Sequence, residues 1–322
     1  MKLGYKLASE VFGPHDLLAQ AKMAEQAGFD FVEISDHYHP WVEEQGHSPF
    51  AWSVLGAIAA GTTTLELATG VTCPTVRYHP AIIAQAAATV AVMSGGRFTL
   101  GVGSGERLNE HVVGAGFAES VGTRHDMLRE ALDVIRLLWD GGYQSYQGEH
   151  YELAAARVWD LPDRPPKIVV AAGGPRAARL AAEHGDGMFT TEPGASLNET
   201  YRKHGGTGPH YAEMPLSWAP DEQTAVTAAH RMARWSNGGW PVMAELPNPP
   251  GFAAASQTVT EDDMRKAMPC GPDVTRYVSS AQTYLDAGVD HLVLQNWGSD
   301  PKGFMEFYRS ELEGRLRALS PS

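Results

Sequence analysis

The residues of this 322-residue chain that can do acid–base chemistry stand directly behind apolar runs. Residues 29–35 carry Phe29, Phe31, Val32 and Ile34, the near-continuous β-branched and aromatic pattern of a strand buried on both faces. The run stops abruptly at Asp36, His37, His39 and Trp41. Packing has no use for Asp-His at such a strand end, where the pair must be solvated, partnered or put to work. Ser9 and Glu10 follow residues 2–7, Cys73 and Arg77 follow residues 65–71, and Glu106 and Asn109 follow the segment GVGSG after residues 98–102. Thr191 and Glu192 end the run 187–191, and Gln295, Asn296 and Trp297 end the run 291–295. An imidazole among carboxylic acids suits proton transfer near neutral pH. The stretch AAGGPR at 171–176 sets two glycines and a proline at a helix start, where outward backbone N–H groups bind anions, commonly phosphate.

Each of these residues also has a plainer reading. Asp36 could cap the following turn, and His37 alone could be a surface loop histidine. His37 and His39 match the HxH pair of a metal hydrolase barrel, but other strand ends offer Ala-Ala-Gly-Gly and Gln-Asn-Trp instead of ligands, so no metal is expected. GVGSGE fits a dinucleotide fingerprint poorly, with Glu106 and Arg107 where the last spacer and third glycine would fall. Its glycines are read as letting a flat ring or a chain approach the backbone. Trp41, beside Pro40 in a polar loop, reads as a pocket wall.

The elements that would position these residues alternate along the chain. Strands are expected at 2–7, 29–35, 65–71, 98–102, 168–172, 187–191, 211–218 and 291–295. Helices are expected at 13–28, 51–60, 80–93, 127–139, 175–184, 221–235, 273–287 and 304–319, with a β excursion at 143–153 turning at Gly148. About eight β/α units over this length predict a TIM (β/α)8 barrel, α/β in class, as a single domain over 1–322. The Gly-, Pro- and Trp-rich segment 236–262 shows no periodicity and is expected to be an irregular, lid-like insertion. In such a barrel all the strand ends named above face one mouth. A formal charge of −13 without a Lys/Arg run argues against nucleic acid and anionic membrane as partners. No membrane span or signal peptide is expected, and two distant cysteines suggest a reduced, cytoplasmic enzyme.

Five segments in order, SDHYHPW (35–41), GHSPF (46–50), CPTVRYHPAIIAQ (73–85), LGVGSGERLNE (100–110) and AAGGP (171–175), resemble the luciferase-like flavin and deazaflavin oxidoreductases. Within that superfamily the chain is most similar to the coenzyme F420-dependent glucose-6-phosphate dehydrogenases. The resemblance implies a bacterial luciferase-like TIM barrel, usually a homodimer, with coenzyme F420 in the barrel mouth and a non-proline cis peptide at Gly70-Val71. It implies that His37 takes the hydroxyl proton of an alcohol, that Glu106 supplies a proton at the pyrimidine end of the deazaflavin, that Trp41 walls the substrate side and that Glu10 lies near the substrate. Asp36, Gly70, Val71, Cys73, Ser104, Gly105, Asn109, Gly173, Gly174, Arg176 and Ala177 fall at cofactor-contacting positions. Cys73 stands where the sugar-phosphate enzymes have threonine.

Departures from that pattern bear on the substrate. Thr191 matches the threonine that helps hold a sugar phosphate, but the three basic positions fall at Gly194, Pro247 and Ala267, with Arg265 and Lys266 beside the last. The insertion instead offers Trp235, Trp240, Met243, Leu246 and Phe252, with Trp240 assigned to the substrate side. Each lost charge-assisted contact to phosphate costs about 1.5–3 kcal/mol. The expected substrate is therefore an uncharged alcohol or carbonyl compound, or an unphosphorylated sugar, and the expected activity is F420-dependent hydride transfer at CH–OH groups. The alternatives are an F420-dependent glucose-6-phosphate dehydrogenase, an FMN-dependent monooxygenase of the same barrel, and a barrel that binds cofactor without catalysis.

Overall fold

Side chains alternate across a strand, so each barrel strand sends one set of residues outward to the helices and the other into the barrel. In β1 (Lys2–Leu7) the outward set is Leu3, Tyr5 and Leu7, all fully or almost fully buried. The inward set is Gly4 and Lys6. Strands β2 (Phe31–Ile34), β3 (Glu66–Thr69) and β4 (Phe98–Val102) follow, then an antiparallel hairpin of β5 (Gln144–Gln147) and β6 (Glu152–Ala156). Strands β7 (Lys167–Ala171), β8 (Gly187–Thr190), β9 (His210–Leu216) and β10 (His291–Asn296) complete the set. In the computed structural model, which describes every residue except 115, eight of these strands pair in parallel and close as β1-β10-β9-β8-β7-β4-β3-β2. This is the TIM barrel that the alternating pattern predicts.

Helices cover the outside of the barrel. Pro14–Ala27 starts with proline at its first turn and stops at Gly28, whose φ of 92° is left-handed and so favours glycine. Val121–Trp139 buries Leu128, Leu132, Ile135 and Leu138 against the strands, while the Trp139 indole N–H donates to the Ala84 carbonyl at 2.9 Å. Inside the barrel, Phe31, Val169, Phe189, Tyr211 and Val293 form an apolar plug. Glu33 and Glu213 lie two residues beyond Phe31 and Tyr211 on the same strands, so with Lys6 they form the next layer toward the carboxyl ends.

The insertion differs from expectation. Residues 236–262 are mostly helical: a 3-10 turn at Arg234–Gly238 runs into short helices Trp240–Met243 and Pro249–Ala255. Glu261–Ala267 then forms under a capping box between Thr260 and Asp263. Proline opens both Trp240–Met243 and Pro249–Ala255, and each is under eight residues long, too short for a 3.6-residue periodicity to be visible. The final helical stretch begins at Pro301, not 304, because Asp300 caps it, and Tyr308–Leu312 is a π-helical turn. The helices Ala195–Lys203 and Arg107–Glu110 were not foreseen. A Cβ at Gly4 would clash with the Phe31 ring, 2.3 Å from its nearest atom. Gly4→Ala is expected to lower stability by about 1–3 kcal/mol through overpacking of the plug, read by urea or thermal unfolding.

Candidate active site

His37 sits on the rim just past β2, with its side chain almost fully buried. The sequence after β2 leaves regular structure at once, and the Ser48 hydroxyl donates to the His37 carbonyl at 2.9 Å to hold the returning loop. His37 Nδ1 lies 3.2 Å from the His39 carbonyl and 3.5 Å from Glu10 Oε1, while Nε2 lies 3.7 Å from Glu106 Oε1. A carbonyl can only accept, so Nδ1 carries the hydrogen in that contact, and in the neutral imidazole the lone pair is on Nε2. The imidazole meets the Trp41 ring edge-on at 4.8 Å. The structure thus brings together His37, Glu10, Glu106 and Trp41 from the ends of β1, β2 and β4.

Asp36 anchors this arrangement from below. Its carboxylate accepts from Thr72 Oγ1 at 2.8 Å, from Arg77 Nη2 at 3.1 Å and from the Tyr78 hydroxyl at 3.1 Å. Arg77 Nη2 also donates to the Asp36 backbone carbonyl at 2.6 Å, and the Arg77 amide donates to Glu110 Oε2 at 2.8 Å. Glu110 is 1 % exposed. Burial pushes its carboxyl up to about 7 despite Arg77, with the charges of Glu106 and Asp36 adding to the rise. Arg77 stands in the matched segment 73–85, but the supporting roles of Tyr78 and Glu110 were not read from sequence.

A second group of residues lines the neighbouring rim. Asn109 is buried; its Oδ1 accepts from the amides of Tyr38 at 2.7 Å and His39 at 3.1 Å, and its Nδ2 donates to Glu106 Oε1. One side chain therefore fixes both the histidine loop and the acid. The Gly70-Val71 peptide is cis. Gly105 has φ of 81°, and a Cβ there would come within 2.7 Å of Cys73 Sγ. The Cys73 thiol is buried, donates or accepts with Thr75 Oγ1 at 3.0 Å, and is held well above the ordinary thiol range by burial. Its ionisation is therefore disfavoured. Ser104 is half-buried in the loop before Gly105.

Across from this loop, β7 pairs with β4 and carries Gly173, Gly174, Arg176 and Ala177 at the start of helix Pro175–His184. That helix start has no side-chain cap, and a Cβ at Gly174 would meet nothing within 4 Å, so its backbone is open to a ligand. Trp240 lies over Gly173, its indole 3.1 Å from where a Cβ would be. The segment behind Trp240 is tied to the rim: the Arg107 amide donates to the Ala244 carbonyl at 2.9 Å, and Glu245 pairs with Arg107 and the buried Arg124. Trp240 thus lies beside the uncapped helix start. The insertion residues that meet Trp41 are Trp235, stacked at 4.1 Å and 10°, and Phe252, edge-on at 5.1 Å. Thr191 is exposed just past β8. Among the described residues no group of three or more His, Cys, Asp or Glu side chains could hold a metal ion.

The residues present fit a flat ring with an anionic tail. The backbone at Gly174 is open, the helix start is uncapped, Trp240 offers a flat face over Gly173, and Glu10 Oε2 is buried with no hydrogen-bond partner. Glu110 gives this site a pH signature. Its folded carboxyl binds its proton more tightly than an unfolded one, so its contribution to stability is present in acid and is lost as pH rises through about 7. Glu110→Gln is expected to remove on the order of 3 kcal/mol of stability loss between about pH 4 and 8, read by urea denaturation at each pH.

The description "Luciferase-like monooxygenase" belongs to the family model that matches residues 1–291. An F420-dependent glucose-6-phosphate dehydrogenase of Amycolatopsis mediterranei is 35% identical over 99% of both chains. A protein of the same name from Beutenbergia cavernae is 36% identical over 99% of this chain and 98% of its own. Among solved structures, an F420-dependent secondary alcohol dehydrogenase in complex with an F420-acetone adduct superposes with a TM-score of 0.89, at 29% identity and covering 98% of each chain. The F420-dependent tetrahydromethanopterin reductase of Methanopyrus kandleri shares the fold, with a TM-score of 0.76 at 23% identity over 98% of this chain and 99% of its own. This chain belongs to the luciferase-like monooxygenase family, in which it is similar over its full length to oxidoreductases named for F420.

Proposed function

We propose that the protein is an F420-dependent oxidoreductase that moves hydride between the deazaflavin and an uncharged alcohol or unphosphorylated sugar hydroxyl, or the matching carbonyl. The observation that carries this reading is His37, held between two carboxylates, Glu10 beside Nδ1 and Glu106 beside Nε2, and against an aromatic wall. Bound F420 would supply a two-electron hydride carrier. Nε2 of His37 takes the hydroxyl proton as the C–H bond gives up its hydride, and Glu10 beside Nδ1 stabilises the imidazolium that forms. Glu106, oriented by Asn109, would be the acid that supplies a proton to the reduced cofactor. Asp36, Gly70, Val71, Cys73, Ser104, Gly105, Asn109, Gly173, Gly174, Arg176 and Ala177 would hold the cofactor, the uncapped helix start offering N–H groups to an anionic part of it. Trp41 excludes water from the substrate side.

The substrate class rests on the same wall. Trp41, Trp235, Phe252 and Trp297 pack ring to ring, so what faces His37 is apolar and flanked by acids. Arg265 is turned to Asp262 and Glu222, and Lys266 lines an outer groove with Asn237, Thr258 and Asp263. Neither supports a phosphate grip beside Thr191. The relatives' names favour the second reading, a glucose-6-phosphate dehydrogenase.

The remaining finer points belong to this reading as well: one domain over 1–322, a cytoplasmic location, and a homodimer for which exposed Ile82, Val92 and Met93 offer an apolar face. No described helix is long and apolar enough to cross a membrane. Titration with oxidised F420 and with FMN, followed by alcohols and sugars with and without phosphate, tests the reading through loss of deazaflavin absorbance. Reduction by unphosphorylated alcohols is expected. Glucose 6-phosphate as the best donor would instead favour the second reading, and oxygen-dependent turnover with FMN a monooxygenase. His37→Asn is expected to lower kcat by about 10²–10⁴-fold with F420 affinity little changed.

A further inference from the structure

Beneath the Gly70-Val71 backbone lies an ion cluster that the proposed chemistry does not use. Lys6 Nζ donates to Glu33 Oε1 at 2.9 Å, to the Gly70 carbonyl at 2.7 Å and to Glu213 Oε1. Lys6, Glu33 and Glu213 are 4 %, 1 % and 7 % exposed, so one cation and two carboxylates share a nearly closed space. A Cβ at Gly70 would collide with the Glu33 carboxylate, which places that carboxylate directly under the pocket floor. Around Glu33, β1 contributes Lys6, β9 contributes Glu213 and Tyr211, and the loop after β1 brings Glu10 within electrostatic reach of Lys6. Strands β3, β4, β7 and β8 present only the uncharged Ala68, Thr69, Thr99, Gly101, Val169 and Phe189 to the small cavity beside it. Burying a net charge is costly, and a carboxyl in that position keeps a proton instead. Glu33, the more buried of the two, is where that proton stays.

We propose that Lys6, Glu33 and Glu213 form a proton-holding floor to the cofactor site, in which Lys6 is a positioning residue for the Gly70 carbonyl and loss of the Glu33 proton weakens binding of an anionic cofactor. It rests on the reading of the mouth as an F420 site. Burial and Glu213 together outweigh Lys6 and push the Glu33 carboxyl up to about 8. Above that pH the floor carries one uncompensated negative charge. Because F420 is itself anionic, its affinity falls as this charge appears.

The test follows quenching of F420 fluorescence on binding, across pH, with infrared spectra of the protein alone. Wild-type Kd is expected to rise by roughly tenfold between about pH 7 and 9, the range over which a carboxyl near that value loses its proton. Glu33→Gln is expected to flatten that rise and to remove a protonated-carboxyl C=O band seen at neutral pH in the cofactor-free protein. Lys6→Met is expected to strengthen the band, since two carboxylates then lack a cation, and to weaken F420 binding at every pH, with Lys6→Arg restoring much of it. An equal pH slope in Glu33→Gln and wild type, or no band lost in that variant, overturns the proposal. Should Lys6→Met fail to fold, the Glu33→Gln comparison decides it alone. If wild type does not bind F420 at all, the cofactor reading fails, and the infrared band still reports on the held proton.

Discussion

The position of the proposed base depends on the carboxylate of Asp36. That side chain is buried and satisfied by three donors, Thr72, Arg77 and Tyr78, while its own carbonyl accepts a fourth contact from Arg77. It is the residue immediately before His37, so its orientation sets where the imidazole leaves the barrel rim. A buried carboxylate with such partners is held far more firmly than an exposed ion pair, because losing any one donor leaves a charge uncompensated. Arg77 is fixed in turn by Glu110, and Glu110 lies one residue after Asn109, which orders both the histidine loop and Glu106. Base, acid and cofactor contact are thus linked through a network of four side chains beneath the mouth.

The barrel supplies the other half of the arrangement. Alternation along its strands gives an apolar plug below and a polar layer above, and the polar layer is the floor on which the backbone of residues 70–71 rests. The insertion contributes the remaining surfaces. Trp235 and Phe252 build the wall behind Trp41, while Trp240 covers Gly173 under the hold of Glu245 on Arg107 and Arg124. The insertion therefore presents two separate surfaces, a wall of Trp235 and Phe252 behind Trp41 and, between them in sequence, Trp240 over Gly173 at the uncapped helix start.

Much of this was legible in the chain. The run 29–35 followed by Asp-His marks a strand end with chemistry, and AAGGPR marks an open helix start, because glycine, proline and abrupt polarity are local signals. Lys6, Glu33 and Glu213 were missed because each lies inside a strand read as apolar, and only their inward phase, shared with Gly4, Phe31 and Tyr211, would have revealed them. The pairing of Glu245 with Arg124 joins residues 121 positions apart, and nothing local announces it. The short helices of 236–262 are not legible in the sequence because one or two turns opened by proline leave no period to read. Trp240 was assigned to substrate on composition alone, and its place over Gly173 follows from how the segment behind it is tied down.

A structure of the protein with oxidised F420 and a non-reacting alcohol tests the central claim most directly. The alcohol oxygen is expected within hydrogen-bond reach of His37 Nε2, at about 3 Å, with its carbon toward the ring and its apolar side on Trp41. An alcohol oxygen bound instead to Glu10 or Glu106, with His37 out of reach, would contradict the assignment of the base and with it the proposed chemistry.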